Sequence, residues 1–338
     1  TGWITTWNTK CGIATYSQHL INNMSGVNPV NFSPIGQEIL DIKNDFSIRS
    51  WSIGKEKNNF DVIIKHIEQA RLNTIIIQFN YGFFNHADLS ELIYALKQRN
   101  IVVVMTLHST VDPDKQPEQN FKLIHMLDAL KSCDRLLVHS FADMNRLKSF
   151  GLEENVTLFP HGVLSNKALS LQHNTNKNMH VIATYGFCLP HKGLSEIVQA
   201  VKVLKDQNVT VKLKLVNAEF PVRESRDLIH ELKQYVNDNN MNDLVEFHNG
   251  FLSDDESLKL LTDADLLLFA YQNTGESASG AVRYGMATGK PVMVTPIPIF
   301  DDLGDAVFKF KGFTAEHIAE DIITRLKEIE GETPQWEA

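Results

Sequence analysis

At 338 residues the chain has room for two domains of ordinary size, and 43% apolar with 22% charged residues is the composition of a globular protein. The formal net charge is −9; residues 1–165 carry 15 Lys/Arg against 16 Asp/Glu, which leaves 17 against 25 for the remainder. An acidic chain without basic clusters argues against nucleic-acid binding.

The near-neutral first half is the half more easily brought to an anionic membrane, so any membrane contact is expected to be peripheral and made through it. No apolar run reaches the roughly 18 residues that suggest a membrane span. Cys11, Cys133 and Cys188 are too scattered for a disulfide framework or a metal-ligand spacing. Sequons at Asn23, Asn31, Asn155 and Asn208 read as chance without a signal peptide, and a reducing cytosol is the default compartment. The chain opens on Thr1 directly in a strand, as an excised or trimmed polypeptide would.

In chain order, Thr1 to Trp7 reads as a strand, Asn8 to Gly12 as a turn and Ile13 to Met24 as a helix with Ile13, Tyr16, Leu20 and Met24 on one face. Val27 to Ser33 reads as a strand, and Asp41 to Lys57 as loop with short helical pieces. Phe60 to Arg71 is amphipathic, Thr74 to Phe79 a buried strand, Ala87 to Gln98 a helix and Ile101 to Leu107 a buried strand ending at His108. Gln119 to Lys131 reads as a helix, Arg135 to His139 as a strand, Ala142 to Phe150 as a helix and Val156 to Phe159 as a short strand. Ser165 to Asn178 is polar and reads as the linker.

The alternation then restarts. Strands are expected over Val181–Tyr185, Val209–Val216, Leu244–His248, Ala264–Tyr271, Pro291–Thr295 and Val307–Phe310. Helices are expected over Leu194–Lys205, Arg223–Val236, Asp255–Leu261 and Glu316–Glu328, with one more after Tyr271. Apolar strands alternating with helices imply parallel sheets covered on both faces. Two such runs imply two doubly wound domains, over 1–165 and 179–338, joined by 166–178. Ligands in this architecture sit beyond the carboxyl ends of the strands, so a cleft between facing sheets is expected.

The stretch from Gly275 to Pro291 is the most informative. It follows an apolar run and opens with Ser277, Ser279 and Gly280, good helix-capping and small residues. Small residues let a ligand approach the backbone, and the helix N-terminus favours an anion. Glu276 sits at that mouth, either as a cap or as an acceptor for a polyol beside a phosphate. Lys192, in Gly186-Phe-Cys-Leu-Pro-His-Lys-Gly193, opens a helix after another strand. An isolated Lys there is more often a solvated loop residue, but together with Glu276 it suggests a shared ligand. His108, His139 and His161 end strands, where a lone His is more often a hydrogen-bonded core residue; of the three, His108 is the best placed for function. Asn80-Tyr-Gly-Phe-Phe84 offers aromatics either to a sugar ring or to packing. Asp112 and Asp114 flank Pro113 as a turn rather than a metal site, and Asp301-Asp302 read as a cap or turn. Walker, G-x-G-x-x-G and G-x-S-x-G motifs are absent.

Four stretches, Cys11-Gly-Ile-Ala-Thr-Tyr16, Leu107-His-Ser-Thr110, Pro190-His-Lys-Gly193 and Glu276 through Gly289-Lys-Pro-Val292, carry a resemblance to glycosyltransferase family 4 of the GT-B fold. Phe159-Pro-His-Gly-Val163, Val245-Glu-Phe-His-Asn-Gly250 and Ala264-Asp265 extend it over nearly the whole chain. The resemblance implies two Rossmann-like domains and metal-independent, retaining transfer of a hexose from a nucleotide sugar to a glycan, lipid-linked or small-molecule acceptor. A UDP- or GDP-linked donor is expected, as a substrate rather than a cofactor. It further implies that Glu276 holds a donor hydroxyl, that Ser279 and Gly280 meet sugar and phosphate, and that Lys192 neutralises the diphosphate. Gly12 and Gly186 would let the backbone approach the donor, and His108 would contact the donor sugar. Tyr81 and Phe83 are the acceptor-side candidates. The family's second Glu is Tyr284 here, preceded by Arg283, and the family's Arg after the strand-end glycine is Phe187; Arg283 is the candidate to replace the missing charge. The family's C-terminal helix crosses back to the first domain, and the chain's end at Ala338 suggests that helix is truncated. The rivals are an epimerase or phosphorylase of the same fold and a non-catalytic sugar-nucleotide or glycan-binding module of a larger protein.

Overall fold

The computed structural model describes residues 1–54, 58–113, 122–164 and 179–331. The chain forms two compact units, one of Thr1–His161 with Gly275–Ala278, the other of Gly162–Thr274 with Ser279–Ala338. The expected linker over 166–178 lies outside the described residues.

The first unit runs β1 (Gly2–Ile4), α1 (Gly12–Asn23), β2 (Val30–Pro34), β3 (Ile48–Trp51), α2 (Asp61–Gln69), β4 (Thr74–Phe79), α3 (His86–Gln98), β5 (Val102–Leu107), α4 (Leu127–Ser132), β6 (Arg135–Val138), α5 (Phe141–Ser149) and β7 (Val156–Leu158). Its strands pair in parallel in the order β3-β2-β1-β4-β5-β6-β7. β-Branched runs make the central strands. Ile75, Ile77 and Phe79 of β4 and Val103, Met105 and Leu107 of β5 enter one core with Ile4 and Phe32. Asn85 caps α3 by accepting from the Ala87 and Asp88 amides, and Ser140 caps α5 by accepting from the Asp143 amide.

Two expectations change here. The stretch expected to be loop contains β3, a four-residue edge strand with Arg49 and Ser50 in its middle. Tertiary contact makes it: Trp51 is buried, stacks on Phe84 at 4.6 Å and donates its indole N–H to the Phe32 carbonyl at 3.1 Å. The helix expected over Gln119–Lys131 is a 3-10 turn at Leu123–Met126 followed by α4, with 119–121 outside the described residues.

The second unit runs β8 (His180–Phe187), α6 (Leu194–Asp206), β9 (Val211–Ala218), α7 (Arg223–Asp238), β10 (Val245–Phe247), α8 (Asp254–Thr262), β11 (Leu266–Phe269), α9 (Gly280–Ala287), β12 (Val292–Val294), β13 (Phe308–Lys309) and α10 (Ala315–Gly331). Its parallel order is β10-β9-β8-β11-β12-β13. β11 shows why the strand sequence is continuously apolar. Leu266 and Leu268 face one core with α6, α7 and α10, while Leu267 and Phe269 face another with α8 and α9. Both sheets reverse their strand order once, between β1 and β4 and between β8 and β11, and crevices form at such switch points.

At the second switch point a 3-10 turn, Pro190–Lys192, leads through Gly193 into α6. Gly193 has φ 69°, and a Cβ there would lie 1.7 Å from the Ala270 carbonyl oxygen. The turn is thus seated on the end of β11, and the Gln272 amide completes the seat by donating to the His191 carbonyl at 2.8 Å.

Gly193→Ala should lower the urea-unfolding free energy by about 3 kcal/mol or more, since strain and clash add. Gly151→Ala, at φ 77° with nothing within 4 Å, should lose only about 1 kcal/mol. Equal losses would remove the backbone contact as the cause. His86, buried at the start of α3, is held down to about 4 chiefly by burial, with Asp112 opposing the shift. The unfolded His protonates near pH 6.5. Its contribution is therefore complete above that pH and is lost as pH falls towards 4. At pH 5 the loss is about 2 kcal/mol, and His86→Phe should remove that part of the acid sensitivity.

Candidate functional site

In the second unit the loops after β8 and β11 build a cationic corner. Lys192 is largely buried, with Nζ 4.0 Å from the centroid of the Tyr271 ring. An aromatic face compensates a desolvated ammonium in part and fixes its position. The Tyr271 hydroxyl is 3.0 Å from Ser279 Oγ. Ser279 is the N-cap of α9 and accepts from the Val282 amide at 3.3 Å, and Gly280 is the first helical residue. One buried tyrosine therefore holds both a lysine and a helix mouth. The first-turn amides of α9 lack intrahelical acceptors and favour an anion. Gly186, at φ 129°, lets the first turn of α9 come close, since a Cβ there would be 3.1 Å from Ala281 Cβ.

The two departures from the family pattern have found other partners. Arg283, expected to offer its charge to a phosphate, is 3% exposed, ion-paired with Asp302 and donates to the Ser279 carbonyl at 3.0 Å. Burial pulls its guanidinium below the usual range, and Asp302 opposes that. Asp302, expected to cap or turn, is thus the counter-ion of a buried cation, and Asp301 pairs with Lys309 at 3.2 Å. Tyr284 donates to Asp254 Oδ1 at 2.6 Å and stacks on Tyr185 at 4.5 Å. Burial first, then Tyr185 and Asp254, drive its hydroxyl far above the ordinary tyrosine range. Phe187 ends β8 stacked on Phe251 at 5.9 Å and edge-on to Phe220 at 5.0 Å.

In the first unit, His108 follows β5. Its Nε2 is 2.7 Å from Gln78 Oε1 and its Nδ1 is 3.3 Å from His139 Nε2. Both ring nitrogens are engaged, so proton transfer by this imidazole requires one of those bonds to break. Burial, with His139 and His161 adding to it, holds His108 well below the usual imidazole range. His139 Nδ1 lies 3.0 Å from the Phe159 carbonyl and must donate to it. Tyr16 of α1 packs its ring on His108, His139 and His161 at 4.9, 5.5 and 4.9 Å. Gly12, the first residue of α1, is exposed with open space where a Cβ would stand.

Glu276 is exposed and lies in Gly275–Ala278, the segment that belongs to the first unit. Three hydrogen bonds tie that segment inside the unit. Ser109 Oγ donates to the Gly275 carbonyl at 2.6 Å, the Ser277 amide donates to the His108 carbonyl at 3.3 Å, and Ser277 Oγ donates to Asp143 Oδ1 at 2.8 Å. Asp143 is 2% exposed and also accepts from Thr110 and Ser140, each at 2.5 Å.

The acceptor-side aromatics are packed. Tyr81 is buried and donates to Asp112 Oδ1 at 2.9 Å, and Phe83 sits against Trp51 and Phe84, both at 6.2 Å. Asp112 also accepts from the Leu123 amide at 3.0 Å, while Asp114 lies outside the described residues. Among the described residues no group of three or more His, Cys, Asp or Glu is arranged to hold a metal ion. Sequence reading missed Gln78, Asp143 and Tyr271, whereas His139 is the buried, hydrogen-bonded residue expected. Only Tyr271, polar at the end of an apolar strand, carried a local signal.

No family model matches the chain, and no curated protein matches it. Solved structures do. HepE from Anabaena in complex with UDP aligns over 96% of this chain and 89% of its own, at 16% identity and a TM-score of 0.72. A glycosyltransferase from Rickettsia africae aligns over 97% and 89%, at 16% identity and a TM-score of 0.74. A UDP-forming trehalose-phosphate synthase from Burkholderia xenovorans, in complex with glucose-6-phosphate, aligns over 96% and 91%, at 11% identity and a TM-score of 0.69. The chain shares with these proteins the GT-B fold of two doubly wound parallel α/β domains.

Proposed function

We propose that the chain is a glycosyltransferase that moves a hexose, with retention and without a metal, from a nucleoside-diphosphate sugar to a carbohydrate or lipid-linked acceptor. The observation that carries this reading is the corner of the second unit, where Tyr271 holds Lys192 and the Ser279 cap of α9. Breaking the sugar–phosphate bond puts negative charge on the departing diphosphate. A pre-positioned ammonium and the positive end of the α9 dipole stabilise that charge without reorganising. Glu276, exposed beside the anchored Ser277, accepts from a donor-sugar hydroxyl. His108 acts as a braced surface under the sugar rather than as an acid or base. UDP in the HepE complex supports a uridine-linked donor, and glucose-6-phosphate in the trehalose-phosphate synthase supports a sugar acceptor.

A second reading, a non-catalytic nucleotide-sugar-binding module, is favoured by one observation. Arg283, Tyr284 and both ring nitrogens of His108 are already engaged.

A thermal-shift panel of UDP-, GDP-, ADP- and dTDP-sugars should stabilise the fold by roughly 2.7 kcal/mol at 100 times the dissociation constant of the true donor. No shift with any of them would sink the donor site. Lys192→Ala and Glu276→Ala should remain folded and lose most transfer. Binding without turnover in the unmodified chain would select the binding-module reading. Asp302→Ala should cost about 3–5 kcal/mol by leaving a buried cation unpaired, and the double variant Arg283→Met with Asp302→Leu should cost much less. An intact nucleotide shift in that double variant is expected; its loss would return Arg283 to the donor site.

A further inference from the structure

The segment Gly275–Ala278 is received by the loop that follows β5, residues 108–112. Ahead of Glu276, Ser109 Oγ donates to the Gly275 carbonyl at 2.6 Å, and a Cβ on Gly275 would lie 3.8 Å from Val111 Cβ. Behind it, the Ser277 amide donates to the His108 carbonyl at 3.3 Å, and the Ser277 hydroxyl donates to Asp143 Oδ1 at 2.8 Å. Glu276 is therefore pinned through both neighbours while the residue itself stays exposed.

The receiving loop is held at two points of its own. Asp112 Oδ1 accepts from the Tyr81 hydroxyl at 2.9 Å and from the Leu123 amide at 3.0 Å. Thr110, 1% exposed, donates to Asp143 Oδ1 at 2.5 Å and accepts from Arg146 Nη1 at 2.6 Å. A functional side chain keeps a productive geometry only when the groups behind it are locked in this way.

Asp143 does more than the start of a helix requires. At the third position of α5 a carboxylate favours the helix N-terminus, and this one accepts the hydroxyl of the Ser140 cap at 2.5 Å. That use occupies Oδ2 alone. Oδ1 collects Thr110 and Ser277, which lie 33 and 134 positions away in the chain. The carboxylate is 2% exposed, and burying it is costly unless such donors satisfy it. A plain cap leaves the Ser277 bond without a purpose.

We propose that Asp143 is a positioning residue for Glu276, acting through Ser277. The Ser277–Asp143 bond sets the segment so that the Glu276 carboxylate meets a hydroxyl of the sugar of a nucleotide-sugar donor. Asp143 does not itself touch the donor. This role rests on the one proposed for Glu276, and it concerns the sugar and not the diphosphate.

The test is a double-variant cycle read by isothermal titration calorimetry. UDP-glucose, GDP-mannose, ADP-glucose and dTDP-glucose are titrated, each beside its bare nucleoside diphosphate, into the unmodified chain, Ser277→Ala, Glu276→Ala and the two combined. Ser277→Ala should weaken binding of the sugar nucleotide about fivefold and leave the bare diphosphate unchanged. On the Glu276→Ala background it should cause no further loss, because the carboxylate it positions is gone. Asp143→Asn should act as Ser277→Ala does. If Asp143→Asn fails to fold, Ser277→Ala decides, since it removes one oxygen and leaves Asp143 its donors from Thr110 and Ser140. Equal losses for sugar nucleotide and bare diphosphate, losses that add in the combined variant, or no loss in Ser277→Ala overturn the positioning role and leave the donor site standing. No binding of any sugar nucleotide to the unmodified chain, or full affinity in Glu276→Ala, overturns the role of Glu276 and the positioning role with it.

Discussion

A parallel sheet buried on both faces is the constraint from which the rest of this molecule follows. Every strand of such a sheet must return through a crossover, and the crossovers cover both faces. Approachable backbone then remains only at the strand ends. In the second unit that leaves the loops after β8 and β11 as the place where polar groups can gather, and Lys192, Tyr271 and Ser279 gather there. The close seat of Gly193 on the Ala270 carbonyl shows how tightly the packing of the sheet fixes that corner.

Charge placement is tight in both units. In the second, Arg283 and Lys192 are both nearly buried, yet they are held differently. Arg283 has a carboxylate partner in Asp302, which settles its charge inside the fold. Lys192 rests on an aromatic face, which fixes the position of its ammonium. In the first unit Asp143 collects hydroxyl donors from Thr110, Ser140 and Ser277, and so ties the segment that carries Glu276 to α5. The positions where the family pattern has charged residues, Phe187 and Tyr284, are filled by aromatic stacks with Phe251 and Tyr185. Stacked rings offer neither the cation of an Arg nor the carboxylate of a Glu, so the chain departs from the pattern at those two points.

The sequence by itself determined the class of the fold, because period and burial are local properties. A run such as Leu266–Phe269 is apolar on both alternations and has no stable place except a strand covered twice. It also marked the strand ends and helix starts, through small, capping and charged residues such as Ser279 and Gly280. Only the tertiary structure decided who partners whom. β3 exists because Trp51 finds Phe84 and the Phe32 carbonyl. His108 loses its free nitrogens to Gln78 and His139, residues 30 and 31 positions away. Arg283 is spent on Asp302, 19 positions on. A buried charge or donor must be satisfied by whatever the fold brings near, and that neighbour is set by strand order and register, which no local pattern encodes.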